Sequence, residues 1–235
     1  LHIADQYNLY VIEDACEAIG AMWRGKPVGT IGDVGVFAFY PNKQITTGEG
    51  GMLITNDHSI FLKASSLRNQ GRSVNSDWLQ HDIIGYNYRM SDIQAAVGLA
   101  QMEKLDVILN KRKEVASKYD DLIKQFQVPV TTPFIHPDCK MSWFVYVVVL
   151  PVGTNRIQLM NNIQSQGIQS KPYFPTIHLQ NIYRELYSFK IGDFPMCEKM
   201  SERTLAIPFY TELSSEQQRY VIQHLANELK RNDVD

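Results

Sequence analysis

The chain has 235 residues, 44% apolar and 20% charged, a globular balance that excludes a disordered tail, a collagen-like fibre and a solvated charge repeat. At this length it forms one large domain or two modest ones. Twenty-three Lys and Arg against 25 Asp and Glu leave a net charge of −2, without the basic balance of a nucleic-acid binder.

His2 to Asn8 reads as the end of a helix, and Tyr10-Val11-Ile12 as a short apolar strand closing on Glu13-Asp14. A Gly/Pro-rich connection, 25–35, leads to a second strand from Val34 to Tyr40, and the Gly48-Glu49-Gly50-Gly51 turn to a third from Gly51 to Thr55. Short β-branched and aromatic runs between glycine turns fit buried strands of an α/β sheet. A helix over 58–70 ends at Gly71, placed as a C′ glycine. Ser91-Asp92-Ile93-Gln94 is a capping box. Ile93, Val97, Leu105 and Ile108 share one face of the helix it opens, and the pattern runs to about Leu122. Such a helix of about 30 residues spans roughly 45 Å, enough to bridge two domains. Lys111-Arg112-Lys113, the one dense basic cluster, falls inside it as a solvated face.

Beyond this helix a polar loop with Pro129, Pro133 and Pro137 precedes the apolar run from Trp143 to Val152. That run is far short of the roughly 20 residues a membrane span needs and reads as a buried strand. A helix over 155–166 stops at Gly167, a Pro-marked segment covers 172–179, and a last helix starts after Ser214. A second, smaller α/β domain is therefore expected from about residue 115. Cys16, Cys139 and Cys197 have no paired or CxxC spacing and fit reduced, cytoplasmic thiols rather than a disulfide frame or a zinc site. The first residue is Leu1 and no signal-peptide pattern follows it, so the expectation is the downstream part of something longer.

Three segments carry chemistry. Glu13-Asp14-Ala15-Cys16-Glu17-Ala18 closes a strand, and the carboxyl ends of strands in open α/β sheets are where ligands sit. Asp14 there either holds a cationic group or caps a following helix; a metal is disfavoured, because no partner with ligand spacing is near. The second segment runs from Phe37 to Gly51 and holds Lys43 between an apolar strand and a glycine turn. A lysine near apolar walls loses basicity by desolvation, and its neutral amine forms Schiff bases; the plainer reading is a surface lysine beside a hairpin. The glycines could cradle a phosphate, yet neither the Walker order nor a dinucleotide fingerprint is present. The third segment, Gly85-Tyr86-Asn87-Tyr88-Arg89-Met90, suits anion or partner contacts, or is a loop packed by its own tyrosines.

In this order the three segments resemble the nucleotide-sugar aminotransferases of the DegT/DnrJ/StrS type, pyridoxal-phosphate enzymes of fold type I. The likeness runs from about Asp5 to Lys104, with weaker echoes at Pro172-Tyr173-Phe174-Pro175 and His178. The resemblance implies the second half of a large domain with a mixed, mostly parallel sheet over 1–114, followed by a small C-terminal α/β domain over 115–235. It implies that Lys43 is the catalytic Schiff-base lysine and proton carrier. Asp14 would pair with the pyridine nitrogen so that the ring serves as an electron sink. Glu17 would lie by the ring, where the family commonly has Gln or His. Asn87 would reach the cofactor phosphate of a neighbouring subunit, so a homodimer with shared active sites follows. Ala38 replaces a serine that often binds the phosphate, and the family's upstream phosphate loop and ring-stacking aromatic have no counterpart in the sequence.

The implied reaction takes nitrogen from an amino acid, glutamate, to a nucleotide-linked keto-sugar. His81 to Met90, with Ile93-Gln94-Ala95-Ala96, resembles most the perosamine-synthase-like members acting on 4-keto sugars. A related sugar dehydratase using the same cofactor would carry histidine in place of Lys43. A non-catalytic folding or dimerisation unit and a nucleotide-binding module are the readings from other classes. Tyr173, Phe174 and His178 are placed near the sugar, or His178 is simply a packed loop histidine. A sheet cut short would expose an edge and apolar surface, giving a chain stable only when paired with its upstream segment or another copy.

Overall fold

The computed structural model describes residues 1–73 and 80–232. The chain folds as two units, Leu1–Leu109 with Ile135–Phe144, and Asn110–Phe134 with Val145–Asp235.

The first unit opens with helix α1 (His2–Tyr7) and strand β1 (Ile12–Asp14). The small strands β2 (Met22–Trp23) and β3 (Lys26–Pro27) follow, then β4 (Val34–Ala38), β5 (Gly51–Ile54) and helix α2 (His58–Arg68). The main sheet has the order β1-β4-β5. β4 lies parallel to β1, with Ile12 opposite Val34 and Asp14 opposite Val36, and antiparallel to β5, with Ala38 opposite Gly51. The mixed sheet that the resemblance implies is present, with one parallel and one antiparallel pairing.

The parallel register depends on two glycines. A Cβ on Gly35 in β4 would run into the carbonyl of Gly29, so the loop before β4 folds back over the strand only because neither residue has a side chain. Glu13 locks that loop: its carboxylate accepts from the backbone N–H groups of Gly29 at 2.8 Å and of Ile31 and Gly32 at 2.6 Å. Burial pushes the Glu13 carboxyl up, but the three donors outweigh it and hold it below the ordinary range. β2 pairs with β3 and with β6 (Cys139–Lys140), so residues 135–144 rejoin the first unit late in the chain.

Helix α3 (Asp92–Met102) starts at Ser91 with the expected capping box: Ser91 Oγ accepts from Gln94 N, and Gln94 Oε1 from Ser91 N. The single helix expected from Ser91 to about Leu122 is instead two. α3 ends at Met102 and α4 (Leu105–Gln125) starts after the turn at 103–104. The last turn tightens, Lys104 N donating to Gln101 O at 3.0 Å, while the Gln101 side chain clamps the Thr46 backbone, accepting from its N–H at 3.0 Å and donating to its carbonyl at 2.9 Å. Burial also divides the run. α3 buries none of its residues, with Ile93 80% and Leu99 65% exposed, whereas α4 buries Val115, Ala116, Tyr119, Leu122 and Ile123. The division between the units falls inside α4, at Leu109 and Asn110.

The second unit adds β7 (Tyr146–Val149), α5 (Arg156–Ser165), β8 (Lys171–Pro172), a 3-10 turn (Ile177–Leu179), α6 (Asn181–Tyr187), α7 (Pro195–Arg203), β9 (Thr204–Ile207) and α8 (Ser215–Asn232). Its sheet is antiparallel, in the order β7-β9-β8. Leu150, Leu159, Ile163, Leu205, Ile222 and Leu225 fill its core. Ser214 caps α8 as Ser91 caps α3, its Oγ accepting from Gln217 N at 3.1 Å while Gln217 Oε1 accepts from Ser214 N at 2.9 Å. Tyr146 Oη donates to Asp120 at 2.5 Å and Tyr119 Oη to the Pro208 carbonyl at 2.7 Å, so both buried tyrosines keep a partner.

Candidate active site

Three of the four residues singled out in the sequence meet at the carboxyl end of the β1–β4 pair. Asp14 is the last residue of β1 and is exposed. No helix follows it: residues 15–21 form turns, and Asp14 Oδ1 accepts from Cys16 N at 3.2 Å. The helix-capping reading of Asp14 is therefore replaced by that of an exposed strand-end carboxylate bonded to Cys16. The Cys16 thiol and backbone N–H hold the Asp14 carboxyl below its usual range, and the charge of Lys43 adds to that. Burial, followed by the bond to Asp14, pushes the Cys16 thiol up to about 11, so it is inert as a nucleophile at neutral pH.

Lys43 sits in the long connection between β4 and β5. A hairpin is there, as the plain reading expects, but the lysine is not a surface residue: its side chain is 14% exposed. Nζ lies 2.8 Å from Glu17 Oε1 and 4.6 Å from the centre of the Phe144 ring. The amine thus faces an aromatic ring and a carboxylate, where apolar walls were expected. The buried side chains of Phe39 and Ile45 anchor the connection on either side of Lys43. Gln44 Nε2 donates to the Glu17 carbonyl at 2.7 Å and to Ser142 Oγ at 2.9 Å, and Ser142 Oγ donates to the Ile19 carbonyl at 2.6 Å. Gln44, Gln101, Ser142 and Phe144 were missed in the sequence, because the partners lie 27 to 123 residues apart and no local pattern joins them.

The structure places Asn87 elsewhere. Its backbone bridges Asn69, and its Oδ1 accepts from Arg89 Nε and Nη2 at 3.3 Å. Tyr86 and Tyr88 stack on one another, ring centres 4.8 Å apart, as a loop packed by its own tyrosines would. In the glycine turn after Lys43, Gly48 N donates to Thr46 Oγ1 at 2.9 Å, while the amides of Gly29, Ile31 and Gly32 are taken by Glu13. In the second unit Tyr173, Phe174 and His178 line an aromatic cavity of about 670 Å³. His178 is a packed histidine there, buried edge-on to Phe194, with Nε2 3.0 Å from Glu198 Oε1. Glu198 is held ionised first by the Gly192 N–H, with His178 and Phe194 N–H adding.

A half-buried lysine amine after the central strand of a mixed sheet, with two carboxylates at the end of the neighbouring parallel strand, defines a fold-type-I α/β protein with a lysine-centred site. The model of the DegT/DnrJ/EryC1/StrS aminotransferase family matches residues 1–226, and the chain belongs to that family. It is 38% identical over 216 residues to a GDP-perosamine synthase of Caulobacter vibrioides, covering 91% of this chain and 57% of that protein. It is 35% identical over 228 residues to the GDP-perosamine synthase of Escherichia coli O157:H7, covering 96% and 60%. Among solved structures, a DegT DnrJ EryC1 StrS aminotransferase from Brucella abortus superposes with a TM-score of 0.85 at 30% identity, over 96% of this chain and 59% of that one. The chain thus spans about three-fifths of the length of the curated relatives it matches.

Proposed function

We propose that the chain is the C-terminal part of a pyridoxal-phosphate-dependent aminotransferase that moves an amino group from glutamate to a nucleotide-linked keto-sugar, with residues 1–114 in its large domain and 115–235 in its small one. The observation that carries this reading is the Lys43 amine, walled by Phe144 and set 2.8 Å from Glu17, beside the ionised Asp14 at a strand end. The perosamine synthases among its relatives support a nucleotide-linked 4-keto sugar as the acceptor.

The donor set fits pyridoxal phosphate at two of its ends. Lys43 Nζ is the primary amine that would hold its aldehyde carbon, and Asp14, kept ionised, is the anion that would face its ring nitrogen. Ala38 offers no hydroxyl to a phosphate, so that end falls to groups other than β4, with Asn87 reaching a partner copy's site in a homodimer. When bound, the cofactor supplies an electron sink for the carbon that gives up its proton. Lys43 Nζ would be the proton carrier of the reaction, accepting a proton from the donor carbon and returning it. Glu17 Oε1, in hydrogen-bond contact with Nζ, aims that amine and shares its proton. Gln44, fixed by Glu17 and Ser142, holds the lysine in line. The bare apolar face of α3 supports the dimer.

Reductive trapping tests the reading. The full-length protein is incubated with pyridoxal phosphate, reduced with borohydride, digested and mapped by mass spectrometry. Stoichiometric label on Lys43 alone is the expected result; an unlabelled Lys43 in the full-length protein overturns the assignment.

A further inference from the structure

The Asp14 carboxylate serves the site only where it stands in a fixed place relative to Lys43. Its own bond does not fix that place. Asp14 Oδ1 accepts from Cys16 N at 3.2 Å, and a partner two residues on travels with the strand end. β1 is three residues long and pairs with β4 at Ile12, Glu13 and Asp14, so the backbone ladder that holds Asp14 is short.

Glu13 reaches much further. Its Oε2 accepts from Gly29 N at 2.8 Å, and its Oε1 from Ile31 N and Gly32 N at 2.6 Å each, 16 to 19 residues along the chain. Backbone donors on an ionised carboxylate make short, strong bonds, and these leave neither oxygen idle. The loop that supplies them packs over β4, the Gly29 carbonyl lying where a Cβ on Gly35 would stand. β4 in turn runs into the connection that carries Lys43. One side chain therefore ties the neighbour of Asp14 to the strand that delivers the lysine. It does so from the opposite face of β1, since adjacent strand residues point apart, and leaves the front of the site open. Val11 N donates to Asp33 Oδ2 at 2.7 Å and Ala15 N to the Val36 carbonyl at 3.0 Å, so both ends of β1 are tied to the same segment. Glu13 supplies the middle.

We propose that Glu13 is a positioning residue of the reaction: its clamp on the 29–32 loop sets where the Asp14 carboxylate stands relative to Lys43. The inference rests on the aminotransferase reading, in which Asp14 faces the ring nitrogen of the cofactor. A charged partner acts fully only at hydrogen-bond distance, so a loosened strand end weakens the hold of Asp14 on that nitrogen. Glutamine cannot take over this duty. Its amide has one acceptor oxygen, and its NH2 group meets a backbone N–H instead of accepting from it.

A double-mutant cycle between Glu13 and Asp14 in the full-length protein tests this. Pyridoxal phosphate is added to cofactor-free protein, and its visible absorption gives both the affinity and the pH at which the bound spectrum changes. Melting curves set a temperature at which every variant is folded. Glu13→Gln should weaken the affinity by about tenfold, the lower end of what losing the support of a ligating group costs. It should also move the pH midpoint in the same direction as Asp14→Asn, and by less. In an Asp14→Asn background, Glu13→Gln should change the affinity by less than about twofold, because the charge it places is gone. Glu13→Asp keeps the charge but draws it back by one methylene, and should shift both readouts the same way; it carries the test where Glu13→Gln does not fold. Wild-type affinity and midpoint in the folded Glu13 variants overturn the proposal. An equal loss with and without the Asp14 carboxylate also overturns it, since a merely structural clamp would give that. Failure to label Lys43 in wild type removes the aminotransferase reading itself, whereas a labelled Lys43 with unmoved Glu13 variants removes only the positioning role.

Discussion

Glu13 and Asp14 are adjacent carboxylates with opposite duties, and the alternation of a strand explains why. Neighbouring side chains on β1 point to opposite faces, so Glu13 turns into the glycine loop while Asp14 turns to the open site. Glu13→Gln keeps the shape but sets an amide N–H against backbone donors, and a loss of about 1–3 kcal/mol in urea unfolding is expected. Because the folded Glu13 carboxyl titrates below its ordinary value of 4.5, its stabilisation is complete above that value and is lost as pH falls through the folded one. The gap between wild type and Glu13→Gln should therefore be widest at neutral pH and close in acid; a gap independent of pH would mean that the carboxylate charge is not what binds the loop. Asp14→Asn should leave the fold and the trapping on Lys43 intact but slow amino transfer by about 10²–10³-fold, the usual cost of removing one preorganised charge partner. An unchanged turnover rate would remove Asp14 from the mechanism.

At the scale of elements, two helices start from the same chemistry. Ser91 with Gln94 and Ser214 with Gln217 each satisfy two backbone N–H groups that the helix leaves over. Ser91→Ala and Ser214→Ala are each expected to cost about 0.5–2 kcal/mol in denaturant unfolding, and an effect near zero for either would show its cap to be decorative. The helix that follows Ser91 is the instructive failure. Its apolar spacing continues through residues 103–104, and nothing local to the sequence marks a break there; the Gln101 side chain is drawn instead to the Thr46 backbone, 55 residues away. The same clamp fixes the connection that carries Lys43, so the end of α3 and the position of the lysine are one structural decision.

For the whole molecule, the decisive feature is how little apolar surface α3 hides. Ile93 and Leu99 stand open on a helix that buries none of its own residues, and exposed apolar faces of this kind mark association surfaces. The protein is expected to sediment as a dimer in analytical ultracentrifugation, and Ile93→Lys with Leu99→Lys to shift it to monomer. A monomeric wild type would remove the shared active sites from the proposed function. No helix among the described residues is long and apolar enough to cross a membrane, and the three cysteines are all free.

The sequence by itself determined the features that local chemistry specifies. The strand end at Asp14, the cap at Ser91, the turn glycines and the lysine between apolar strand and glycine turn were all legible, because each depends on neighbours within a few residues; the second strand, read to Tyr40, ends at Ala38. The order of three short motifs then carried the family. Only the tertiary structure decided what each group faces: that Glu13 fills the glycine loop, that Glu17 and Phe144 meet Lys43, and that Gln44 and Ser142 hold it. Those partners are brought together by sheet register and loop return across long separations. Contact at that range is set by the packing of the whole chain rather than by any local pattern.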